Sequence, residues 1–153
     1  MHYVYLIWAF LFLAIPQHLR AQGGMLSMQE LQDSMQNNPK PVLLMLHTDW
    51  CSYCALQKTQ ISKRKHQWDG VYLASFDAES KDEVEFGGKT YSYIPQGNKT
   101  GTHALALKLM EGRAKGYPNW ILLDEKMNLL DSYAGYLKLK ELDVIVKKLT
   151  DTK

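Results

Sequence analysis

Apolar positions divide the chain into an N-terminal block unlike the rest and a series of short segments whose periods switch between helix and strand. Residues 3–15 (YVYLIWAFLFLAI) form an almost unbroken apolar run that ends at Pro16. A spanning helix needs roughly 20 such residues, so the run is short for a span and has the length of a signal-peptide core. Leu19 and Ala21 stand at the −3 and −1 positions of a cleavage point after Ala21. The expectation is a cleaved signal peptide over residues 1–21 and a single domain over residues 22–153, exported to a periplasm or comparable compartment. Because no basic residue other than His2 precedes the run, an uncleaved N-terminal anchor stays open as the alternative.

Beyond that block, Ser27-Met28-Gln29-Glu30 has the spacing of a capping box, and Met28, Leu31 and Met35 share one helical face before Asn37-Asn38-Pro39. Residues 42–47 (VLLMLH) are an apolar run of the length of a strand buried on both faces. Residues 52–66 lack Gly and Pro and predict a helix. Residues 71–77 (VYLASFD), introduced by Asp69-Gly70, predict a second buried strand. Residues 84–86 and 90–94 alternate around Gly87-Gly88 as a hairpin does, with Tyr91 and Tyr93 on one face. Thr102 then predicts the cap of a helix carrying Leu105 and Leu109 and ending at Gly112. Residues 119–124 and 129–133 read as strands, and Leu142, Ile145, Val146 and Leu149 mark an amphipathic last helix. The order is α-β-α-β, a hairpin plus helix, then β-β-α, which is an α/β fold.

Charge narrows the partners. The chain has 18 basic and 16 acidic side chains, and Arg20 is the only full charge among residues 1–21. Near-neutrality gives no footprint for nucleic acid. Lys63-Arg64-Lys65 occupy adjacent helix positions that point in different directions, so they predict a solvated helix end.

The two cysteines change the picture most. An exported domain uses cysteines as widely spaced staples, whereas Cys51 and Cys54 are three apart and close too short a loop to constrain the unfolded chain much. Reactivity or metal binding is left. A cysteine at a helix N-terminus has its thiolate stabilised by free N–H groups and the helix dipole. Cys51 holds that position as a candidate nucleophile, and Cys54, one turn on, is placed to resolve a mixed disulfide. The alternative is a binding module or metal carrier, with His47, His66 or His103 joining the sulfurs around zinc, or with copper held by the two thiols. Zinc would need a second tightly spaced ligand pair, which the sequence lacks, so no metal is assigned.

Residues 42–54 (VLLMLHTDWCSYC) resemble the thioredoxin superfamily's apolar strand, Trp and CxxC opening a helix, and Gly116-Tyr117-Pro118-Asn119 ahead of a strand resembles its cis-proline loop. The resemblance covers most of residues 22–153. It implies a thioredoxin fold, a central mixed β-sheet flanked by helices, with the hairpin and helix of residues 84–112 as an insertion before the cis-proline loop. It further implies an exported bacterial thiol:disulfide oxidoreductase that needs no cofactor beyond a redox-active Cys51–Cys54 disulfide. Its partners would be protein thiols and disulfides and an upstream membrane or periplasmic electron-transfer protein, with the chain itself a monomer. Pro118 would be cis beside the sulfurs, the backbone at Tyr117 would pair with an extended substrate segment, and Trp50 would border the site. Gly135 falls where the family often carries a glycine near the substrate face.

Two departures are visible. Met45 stands where the family usually buries an acid that helps deprotonate the resolving thiol, so proton transfer at Cys54 falls to water, His47 or Asp49. Ser52-Tyr53 separate the cysteines, and tyrosine at the second place is similar to glutaredoxins and periplasmic disulfide isomerases.

Overall fold

A computed structural model of the chain describes residues 24–64 and 68–151. The expected signal peptide, Lys65 and His66 lie outside those residues. The fold is organised around β1 (Val42–His47), every residue of which is buried. On one side β1 pairs in parallel with β2 (Tyr72–Asp77), from Val42 opposite Tyr72 to His47 opposite Asp77. On the other it pairs antiparallel with β7 (Asn119–Leu123), and β8 (Leu129–Ala134) continues antiparallel from β7, giving the order β2-β1-β7-β8. A parallel pair requires a crossover connection, and α2 (Ser52–Ser62) supplies it.

The two-residue period of β1 sorts its side chains between two cores. Val42, Leu44 and Leu46 pack with Met28 and Leu31 of α1 (Met28–Asn37) and with Leu105, Ala106 and Leu109 of α3 (Ala104–Leu109). Leu43 and Met45 face the other way, onto Ile61 of α2 and Leu142, Ile145, Val146 and Leu149 of α4 (Leu139–Asp151). Helices therefore cover both faces, which is why β1 carries no polar residue before His47. The start of α1 is fixed as its sequence predicts: Ser27 Oγ accepts the Glu30 N–H at 3.2 Å, and Glu30 Oε2 accepts the Ser27 N–H at 2.8 Å.

Between β2 and β7 the chain departs from the expected pattern. β3 (Val84–Phe86) and β4 (Lys89–Tyr91) form a hairpin whose turn uses Gly87 and Gly88 at φ +58° and +73°, a region that favours glycine. The run of residues 90–94 is not one strand. Ser92, whose carbonyl accepts the Ala104 N–H at 2.9 Å, separates β4 from β5 (Tyr93–Pro95), and β5 pairs with β6 (Gly101–His103). Tyr91 and Tyr93 accordingly belong to different ladders. Thr102 is held in the ladder opposite Ile94, so His103 caps α3 instead, its Nδ1 accepting the Leu105 N–H at 3.1 Å. The helix ends at Leu109, short of Gly112.

At the end of α2 Lys63 is exposed, as a solvated helix end requires, but Arg64 is tied down. The helix stops at Ser62, and Arg64 then pairs with Asp143 of α4 at 2.7 Å while lying 4.3 Å over the Trp68 ring. Among the described residues no helix is long and apolar enough to cross a membrane.

Candidate active site

Cys51 follows a short turn at the end of β1 and is the N-cap of α2, with extended backbone at φ −81° and ψ 100°. Its Sγ stands where a capping oxygen would, 3.1 Å from the Cys54 N–H that it accepts. The two sulfurs are joined as a disulfide across a Cα–Cα distance of 5.2 Å. Both residues are buried, Cys51 6% and Cys54 2% exposed. A thiolate formed at Cys51 would keep that N–H and the positive end of an 11-residue helix beside it.

The strand register brings the second loop to this point. Leu46 pairs with Asn119, so Pro118 lies level with the end of β1, one residue before the turn that leads to Cys51. The Tyr117–Pro118 peptide is cis. The Tyr117 ring meets Trp50 edge to face, 6.1 Å between centroids, and the exposed Trp50 indole donates to Glu79 Oε1 at 2.9 Å. Behind this loop the Pro118 carbonyl accepts the Gly135 N–H at 2.7 Å, with Gly135 at φ +102°. The buried Asn119 amide donates to the Ala114 carbonyl at 2.8 Å. Burial, and then the carboxylates of Glu79 and Asp77, hold the Tyr117 phenol above its ordinary value.

His47 is the buried last residue of β1, and its Nε2 lies 3.0 Å from Lys58 Nζ on α2. Burial first, and the Lys58 charge second, push the imidazole below its usual value, against the opposing pull of Asp77 and Asp49. Burial likewise lowers the Lys58 ammonium, while Asp49 and Asp77 raise it. Asp49 itself is exposed in the turn before Trp50. Met45 is fully buried between Ser75 and Trp120 in neighbouring strands, so no carboxylate stands at that position.

Cys51, Cys54, Trp50, Tyr117 and Pro118 thus converge at one end of the sheet, with His47 and Asp49 at its margin. His103 does not join them: it packs edge-on against Phe76, and its Nε2 lies 3.0 Å from the Asp82 carbonyl. Among the described residues no three His, Cys, Asp or Glu side chains gather as a metal-binding set, and His66 lies outside them. Three residues around the site were not anticipated. Gln57 and Lys58 sit three and four positions after Cys54, on the same helix face, which the spacing alone could have indicated. Glu79 follows β2, and its distance in sequence from Trp50 leaves no local sign.

A family model described as a thioredoxin-like domain matches residues 28–150. No curated protein matches the chain. Among solved structures, a mutant thioredoxin from Halobacterium salinarum is 15% identical over 85% of this chain and 94% of its own, with a TM-score of 0.52. A thioredoxin-fold protein from Helicobacter pylori is 16% identical over 75% of this chain and 71% of its own, with a TM-score of 0.53. An exposed lipoprotein thioredoxin from Streptococcus pneumoniae is 14% identical over 82% of this chain and 97% of its own, with a TM-score of 0.50. At these identities the structures speak for the fold, and the family model for membership: with its mixed sheet, its Cys51–Cys54 disulfide and its cis-proline loop, the chain belongs to the thioredoxin-like family.

Proposed function

We propose that this protein exchanges disulfides with protein substrates through Cys51 and Cys54, as an oxidoreductase working outside the cytoplasm. The observation that carries the reading is Cys51 as the N-cap of α2, disulfide-bonded to Cys54 and adjoined through Trp50 and Tyr117 by the cis-proline loop. In the reducing direction the Cys51 thiolate attacks one sulfur of a substrate disulfide, and the second substrate sulfur leaves as a thiolate that takes up a proton. Cys54 loses its proton to solvent and attacks Cys51 Sγ, which forms the Cys51–Cys54 bond and releases the remaining substrate sulfur as a thiolate that takes up a proton. Two electrons pass from the dithiol to the substrate, and the reverse order oxidises a substrate dithiol.

The backbone beside Tyr117 and Pro118 supports binding of an extended substrate segment, and Trp50 offers it an exposed apolar wall. No cofactor is needed for the cycle, since the electrons reside in the cysteine pair. An upstream electron-transfer protein would restore the pair. Export rests on residues 1–21, read as a signal peptide, with residues 22–153 as the working domain; the pneumococcal neighbour is an example of an exposed protein with this fold. The test is turnover. The purified protein, with dithiothreitol as donor, should accelerate reduction of a protein disulfide, and Cys51→Ser should abolish the acceleration. A wild-type rate equal to that of dithiothreitol alone would refute the reading.

A further inference from the structure

His47 at the end of β1 and Lys58 on α2 form a pair of bases that takes no part in the bond-making steps proposed for Cys51 and Cys54. Cys54, Gln57, Lys58 and Ile61 fall at offsets of zero, three, four and seven, which is one face of α2, and Cys54, Gln57 and Ile61 are buried. Helical side chains lean toward the N-terminus, and residues four apart have Cβ atoms about 5–6 Å apart. The Lys58 stem therefore runs back over the turn that holds Cys54. There its ammonium meets His47 Nε2 at 3.0 Å, at the end of the strand that leads to Cys51.

Two bases at that distance in a partly desolvated site do not both hold a proton readily, because like charges so placed repel. His47, lowered below its usual range, is neutral near pH 7 and accepts the bond. Lys58, the stronger base, keeps the proton, helped by Asp49 in the preceding turn and Asp77 on β2. Met45, two residues before His47 and so on the same face of β1, and its ladder partners Ser75 and Trp120 bring no charge.

We propose that Lys58, anchored by His47, is a positioning residue that sets one positive charge beside the Cys51–Cys54 couple and stabilises its thiolate. The proposal rests on the reading of that couple as the exchanging one. Two-electron reduction of the disulfide leaves two thiols; the thiol that ionises gives its proton to solvent, and the ammonium remains as its counter-charge. Stabilising the thiolate favours the reduced form, so the charge makes the disulfide a stronger oxidant.

The test compares reduced wild type with Lys58→Met and Lys58→Gln by thiolate absorbance against pH and by equilibrium with glutathione. Both variants should lower the dissociation constant of the more acidic thiol about tenfold. They should also shift the equilibrium about tenfold toward the protein disulfide, which is about 30 mV more negative. Lys58→Arg, which keeps the charge, should restore both. Folded neutral variants that titrate and equilibrate like wild type would overturn the assignment, as would an arginine variant that behaves like the methionine one. Because the thiol titration needs no substrate, its outcome is separate from turnover: an inactive wild type refutes the proposed function, whereas an active chain with an unchanged thiol refutes only the role of Lys58.

Discussion

The Trp50 indole stands edge-on to the Tyr117 ring at 6.1 Å, joining the residue before Cys51 to the residue before Pro118. Glu79 accepts the indole N–H at 2.9 Å, so its carboxylate belongs to the same small assembly and opposes ionisation of the Tyr117 phenol.

Glu79→Gln keeps an acceptor for the indole and removes the charge. The Tyr117 phenol should then titrate at lower pH, though still above its ordinary value, because burial is the larger cause of the rise. The difference in tyrosinate absorbance between Glu79→Gln proteins with and without Tyr117→Phe measures this, set against the same pair made in the wild-type background. A phenol that titrates as in wild type would remove Glu79 from the assembly.

Gln57 is fully buried and closes a two-way bridge to the segment before α4, its Nε2 donating to the Leu137 carbonyl at 3.0 Å and its Oε1 accepting the Leu137 N–H at 2.9 Å. Gln57→Leu leaves both backbone groups without that partner, and an unsatisfied buried group costs about 1–3 kcal/mol. Urea unfolding should show the midpoint lowered with the slope preserved. An unchanged midpoint would mean the bridge contributes nothing net.

His47 gives the stability an acid-side dependence. Its folded pKa is depressed, so its contribution is present above the unfolded value, about 6.5, and is lost as pH falls through the lower folded value. In that window the unfolded chain binds a proton that the folded chain resists. Thermal midpoints measured from about pH 7 down to about pH 5 should fall less steeply for His47→Gln than for wild type. Parallel slopes would show that other groups set the dependence.

What the sequence disclosed about this site depended on how local the signal was. The apolar run of residues 42–47, Trp50, the CxxC and the Tyr117-Pro118 pair are each contiguous, and the pairing of β1 with β7 brings them together, so fold and candidate site could both be read. Ser92 offered no warning, because a strand broken to serve two hairpins keeps its alternation of polar and apolar residues. His103 took the capping role from Thr102 because Thr102 was already committed to a ladder. The contacts of Trp50 with Glu79 and of His47 with Lys58 are made between elements that only the fold apposes, and periodicity within one segment carries no trace of them.

The most direct measurement of the central claim is covalent trapping. Cys54→Ser, reduced and mixed with a protein disulfide, should accumulate a mixed disulfide through Cys51 that mass spectrometry identifies, while Cys51→Ser should accumulate none under the same conditions. Equal adducts from the two variants, or no adduct from Cys54→Ser, would contradict a nucleophile at the start of α2 with its resolving partner one turn behind.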